Sequence, residues 1–175
     1  MKRILFLLTL ALMGFTATSC NSDDDSYCVE DFTGALTEDE AVLVGTWELT
    51  AITSDEEVDI TDDDEDNPSE DIFAQQDECQ NDVSYSFSSN RAYTLQQATN
   101  VSGCDAEYST EGTWNLVGDE IGLVDNCNLQ ILEVAINTDE TAFSFVVDQN
   151  IRDVDGAITQ VQLVITYTKV VADPA

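Results

Sequence analysis

The side chains able to do chemistry in this 175-residue chain are carboxylates and thiols: it holds 36 Asp and Glu and five Cys, but no His. Without an imidazole, the Ser-His-Asp and Cys-His arrangements of nucleophilic catalysis are out of reach. A zinc site would have to rest on cysteines that show no Cys-x-x-Cys spacing. Two carboxylates at a suitable separation suffice for glycoside hydrolysis, yet the acidic residues run through the chain and single out no pair. The sequence therefore reads as non-catalytic, with no resident cofactor. Hard cations take oxygen ligands, and Asp62, Asp64 and Asp66, with Asp148, Asp153 and Asp155, are the candidates to supply them. Neither group follows EF-hand spacing, which predicts weak, multivalent calcium association rather than a built site.

The five cysteines divide by position. Cys20 closes a leader in which Lys2 and Arg3 precede an apolar run, Ile4 to Phe15, and then Ala17-Thr18-Ser19. A cationic start, a short apolar core and small residues describe a cleavable export signal, because a membrane span needs roughly 20 apolar residues. With its cysteine directly after the small residues, the segment resembles a bacterial lipoprotein signal with its lipobox. That resemblance implies cleavage before Cys20, lipid on Cys20 and a membrane as the first partner. Asn21-Ser22-Asp23-Asp24-Asp25 follows at once, and resembles the acidic surface-export tag of Bacteroidota-type lipoproteins. The implied address is the outer membrane, lipid-anchored and facing outward; a plain solvated spacer is the alternative reading of the same run.

Cys28, Cys79, Cys104 and Cys127 remain, an even number in a compartment where disulfides persist. Four cysteines allow three connectivities. Cys79 with Cys104, which flank one predicted hairpin, and Cys28 with Cys127 form the preferred set.

Removal of residues 1–19 takes away two of the five basic residues, leaving three against 36 acidic ones, a net charge of −33. Such a field repels nucleic acid and bare anionic headgroups, and concentrates cations and cationic partners. Arg91, Arg152 and Lys169 are all that is left to pair with carboxylates directly.

The elements that must position these groups follow from the apolar period. Residues 20–36 are polar and acidic and read as a flexible tether, ahead of a β domain over 37–171. Thr37 and Glu40 have capping-box spacing for one helical turn. From Val44 the period is two, with Trp47, Leu49 and Ala51 on one face. Between Asp55 and Asp71 eleven of seventeen residues are acidic, which predicts a solvated excursion without a strand, followed by a short helix over 69–76 supported by Glu70. Alternation returns at Val83-Tyr85-Phe87 and Tyr93-Leu95, then at 107–117, 121–124, 129–136, at Phe143-Phe145-Val147 and at Val161-Leu163-Ile165-Tyr167. About eight strands joined by tight turns predict an all-β, antiparallel up-and-down barrel or strongly coiled sheet.

Leu43-Val44-Gly45-Thr46-Trp47-Glu48-Leu49 resembles the opening strand of lipocalin-like domains, whose Gly-x-Trp places a ring across the closed end of the barrel. Gly112-Thr113-Trp114 is a second copy. The resemblance covers residues 40–170 and extends to lipocalin-like lipoproteins of the Bacteroidota type. Two features of that family are unplaced: a C-terminal helix is not evident, and no arginine clearly follows on a late strand to cover Trp47, for which Arg152 and Lys169 are the candidates. It also implies that inward Trp47, Tyr85, Phe87, Tyr93, Trp114, Phe143, Phe145 and Tyr167 either line a site for a small apolar or amphipathic ligand or fill the interior. The sequence thus points to a surface binding module. Its alternative is an accessory or structural protein whose acidic face meets cations, glycans or a protein partner, which the sequence does not name.

Overall fold

Antiparallel strands follow one another around a closed barrel in the computed structural model, which describes residues 28–171. The leader, Cys20 and the acidic run after it lie outside the described residues. The strands are β1 (Gly45–Val58), β2 (Ser69–Asp71), β3 (Val83–Phe87), β4 (Ala92–Gln97), β5 (Tyr108–Val117), β6 (Glu120–Asp125), β7 (Asn128–Ile136), β8 (Ala142–Arg152) and β9 (Ile158–Lys169). Eight of them run in the order β1-β3-β4-β5-β6-β7-β8-β9, and β9 returns to β1, pairing Trp47 with Lys169 and Leu49 with Tyr167. The short β2 adds to the far end of β1. The all-β, up-and-down barrel is as expected, and closure removes the sheet edges that successive hairpins would otherwise leave.

Three one-turn helices decorate it: α1 (Glu38–Ala41), α2 (Ile72–Gln75) and α3 (Glu78–Asn81). The capping box of α1 forms as spaced, with Glu40 N–H donating to Thr37 Oγ1 and Thr37 N–H to Glu40 Oε2. At 69–76 the chain departs from the single helix expected. Ser69–Asp71 pairs with β1 first, and Asp71, not Glu70, caps the turn by accepting from Ala74 N–H at 3.0 Å.

The acidic segment also begins later than expected. β1 persists through Asp55, Glu56 and Glu57 because Ser54 and Val58, two and six residues past Ile52, still turn inward and are buried, while the three carboxylates remain in water. Strand and charge run coexist wherever the charged side chains face out.

The tether ends earlier than residue 36. Cys28 is bonded to Cys127 in the β6–β7 turn, Val29 N–H donates to Cys127 O, and Phe32 N–H donates to Thr113 Oγ1 at 2.9 Å. The Phe32 ring lies over Gly122, where a β-carbon would meet it at 3.1 Å. An apolar ring and a covalent bond hold a segment whose polarity alone suggested a leash. Cys79 of α3 pairs with Cys104, beyond the β3–β4 hairpin, so both bridges have the preferred connectivity.

Chain-entropy arguments scale with the loop closed, here a separation of 99 residues for Cys28–Cys127 and 25 for Cys79–Cys104. The C28S/C127S variant is expected to lose on the order of 4 kcal/mol, more than the roughly 3 kcal/mol of C79S/C104S. Urea unfolding of the two variants checks the order; equal losses contradict it.

Candidate functional site

Seven of the eight inward aromatics named above are buried, and all but Tyr93 are linked ring to ring. Trp47 meets Phe143 edge-on at 5.1 Å between centroids, Phe143 stacks on Tyr167 at 5.2 Å, and Tyr167 meets Tyr85 at 5.2 Å. Tyr85 stacks on Phe87, and Phe87 meets Trp114 at 5.2 Å. Such pairs contribute about 0.5–1.5 kcal/mol each beyond their buried area. The indole N–H groups stay satisfied: Trp47 Nε1 donates to Leu43 O and Trp114 Nε1 to Ser88 O. Burial pushes the Tyr85 phenol up to about 12 and raises Tyr167 as well. These rings fill the closed half of the barrel. Tyr93 and the half-buried Phe145 sit at its margin, bordering clefts of about 370 and 300 Å³.

The cation candidates come together only in part. Asp62, Asp64, Asp66, Asp153 and Asp155 border one cleft of about 390 Å³ with Asp59, Thr61 and Glu65. Asp148 stands apart, exposed on β8 opposite Gln162. Among the described residues no three Asp, Glu, Cys or His side chains converge as a metal would require. Asp59 instead organises the loop. Its carboxylate accepts from the Thr61 hydroxyl at 2.8 Å and from Thr61 and Asn67 N–H, and these bonds, the hydroxyl foremost, hold it below its ordinary pKa. Asp59 O in turn accepts from Val154 N–H, fastening this loop to the β8–β9 turn.

The most strongly built polar site was not anticipated. Arg91 and Glu40, both buried, form a bidentate pair, Nη1 to Oε1 at 2.6 Å and Nη2 to Oε2 at 2.9 Å. The rest of the guanidinium donates to Gly34 O, Ala35 O and Trp114 O, and Glu40 Oε1 also accepts from Leu116 N–H. The five bonds of the fork thus reach three places in the chain: residues 34–35, Glu40 and Trp114. The Arg91 guanidinium, ahead of the Thr37 contacts, holds the Glu40 carboxyl down to about 2. Arg91 occupies the left-handed region at φ 69°, closing the β3–β4 turn where Ser88 N–H donates to Ala92 O. A non-glycine residue there costs of order 1 kcal/mol, and the bonds of its side chain and carbonyl hold Arg91 in that conformation. The sequence signal was faint: one of three cations among the described residues, placed in a turn.

Lys169 supplies the second cation of the closed end. Its Nζ lies 5.1 Å from the Trp47 ring centroid and donates to Val42 O at 2.7 Å. Arg152, at the opposite end of β8, bonds Gly156 O instead.

A family model described as a domain of unknown function, DUF5004, matches residues 21–170. The chain belongs to that family. None of the curated proteins compared is significantly similar to it. The closed eight-stranded barrel of this DUF5004 domain fits a lipocalin-like fold, with Gly45-Thr46-Trp47 entering the closed end. The second copy has its own reason for glycine in the DUF5004 domain: a β-carbon at Gly112 would collide with Val124 O and crowd the Tyr93 ring.

Removing one partner of a buried pair leaves the other charge unsatisfied, so E40Q is expected to cost on the order of 3 kcal/mol. Glu40 has an ordinary pKa of 4.5 and is lowered to about 2 in the fold. Its stabilisation is therefore complete above pH 4.5 and lost as pH falls toward 2. Melting temperatures of wild type and E40Q should differ fully at pH 7 and converge near pH 2. A difference independent of pH contradicts the assignment.

Proposed function

We propose that this chain is a lipid-anchored outer-membrane lipoprotein of the Bacteroidota type, displaying a non-catalytic lipocalin-like barrel at the cell surface as an accessory module that binds a partner on its outer face. The leader ending at Cys20, the four remaining cysteines paired in two bridges, and the acidic run after Cys20 support the address. The observation that carries the binding mode is the ring cluster from Trp47 to Trp114. Rings in mutual contact leave the closed half of the interior to themselves, so recognition falls to the outer wall and the loops. With −33 charges on the mature chain, the matching partner is cationic, or binds through bridging cations. Calcium in this reading associates weakly with the Asp59–Asp155 cleft as one such bridge.

A second reading rests on the open half. Leu95, Leu132, Phe145, Val147 and Ile151 pack against the core yet stay half-exposed. They would border a shallow site for a small apolar or amphipathic molecule above the rings.

Mass spectrometry of the protein from membranes should find Cys20 acylated at the new amino terminus, and an unprocessed leader would refute the address. Crosslinking on intact cells is expected to recover a stable protein neighbour. If it recovers none, while lipids or other apolar compounds raise the melting temperature, the second reading replaces the first.

A further inference from the structure

The barrel is closed unevenly. β8 pairs with β9 along its whole length, from Ala142–Thr168 to Arg152–Ile158, but with β7 over three pairs only: Val134–Phe145, Ala135–Ser144 and Ile136–Phe143. β7 in turn pairs with β6 from Asn128 to Glu133. Beyond the β7–β8 turn the two strands diverge. Among the described residues no strand pairs with the seam side of 128–133 or 146–152, so each lip presents backbone N–H and C=O groups free to hydrogen-bond.

Side chains around this seam depart from the usual protection of such edges. Free edges are normally blunted by proline, lysine or other charged side chains; proline and lysine are absent from 128–133 and 146–152, where the charged residues are Glu133, Asp148 and Arg152. Instead the outer face beside it carries exposed apolar side chains: Leu129 and Ile131 on β7, Val146 on β8 and its cross-strand neighbour Val164 on β9. At its closed end the seam widens into the cleft of about 300 Å³ that Asp119 and Glu133 border along with Phe145 and Val146. No basic residue borders that cleft.

We infer that the β7–β8 seam is a strand-docking site, where an extended, basic segment of a partner protein adds to the free edge of β8. Main-chain hydrogen bonds would supply affinity, and alternate side chains would supply register. Apolar residues of the segment lie against Val146 and Ile131, and a Lys or Arg enters the cleft between Asp119 and Glu133. A second copy of this chain is a poor occupant, because two bodies of −33 repel one another. The inference deepens the partner-binding reading and commits it to one surface.

The test uses the full-length protein in detergent and a synthetic peptide of about nine residues, a strand length, alternating valine or threonine with lysine. Saturable one-to-one binding is expected, with slowed amide exchange confined to 128–133 and 146–152. Val146→Lys and Ile131→Lys, both at exposed positions, should each weaken binding at least tenfold without changing the melting temperature. Four results overturn the inference: amides of the seam already protected in the free protein, binding with no protection there, equal binding of a peptide carrying glutamate for lysine, or the same protection produced by raising the protein concentration alone. None of these touches the crosslinking result, so a failed seam and a failed partner-binding reading are told apart.

Discussion

The buried pair of Glu40 and Arg91 is the constraint on which the closed end of this barrel depends. One carboxylate completes the capping box of α1, accepts from Leu116 N–H of β5 and holds the guanidinium. That guanidinium reaches back to Gly34 O and Ala35 O in the entering segment and across to Trp114 O. Arg91 also donates nothing less than its backbone to the same task, since its carbonyl accepts from Trp114 N–H. Residues 34–40, the β3–β4 turn and β5 are therefore fixed to one another through one planar fork. A point charge on a flexible stem would not reproduce this geometry, so Arg91→Lys is no conservative change at such a site.

Around that pair the chain separates its two excesses. Aromatic rings occupy the interior in edge-on and stacked contacts, and carboxylates occupy the loops and the outer face. Few cations remain to neutralise them, and two of the three among the described residues are committed to the closed end: Arg91 to Glu40, Lys169 to Trp47 and Val42 O. The surface consequently keeps one sign. Self-repulsion of that size works against compactness, and two disulfides with the hydrogen-bonded Glu40–Arg91 pair are the counterweights present in the structure.

The parts legible in the sequence were those with a short period or a local rule. Alternation at Tyr85-Phe87, Phe143-Phe145 and Leu163-Ile165-Tyr167 found the strands, Thr37 with Glu40 found the cap, and Gly45-x-Trp47 found the closed end. Lys169, which lies over Trp47, is one of the two cations the sequence offers for that place. What escaped needed contacts across long separations. Arg91 and Glu40 lie 51 residues apart, and nothing local marks either as buried. The docking of residues 28–36 hangs on one ring and one bridge within a polar segment, and composition reads such a segment as loose. β1 ran on into the acidic stretch because alternation outlasts charge, provided the charges face water.

The open seam and the uniform charge explain each other. An unpaired, unblunted strand edge flanked by Ile131 and Val146 is a template for self-association, yet proline and lysine, the usual guards, are absent from it. A field of one sign performs the same protection at a distance. It raises the cost of bringing two identical chains edge to edge, and does so without occupying any hydrogen-bonding position on the strand. Lysine on the edge would guard it equally against every comer, whereas a negative field discriminates, admitting what is cationic. No basic residue borders the cleft where the seam begins, because Arg91 and Lys169 are engaged by Glu40, Trp47 and Val42 O, which leaves Asp119 and Glu133 unopposed there.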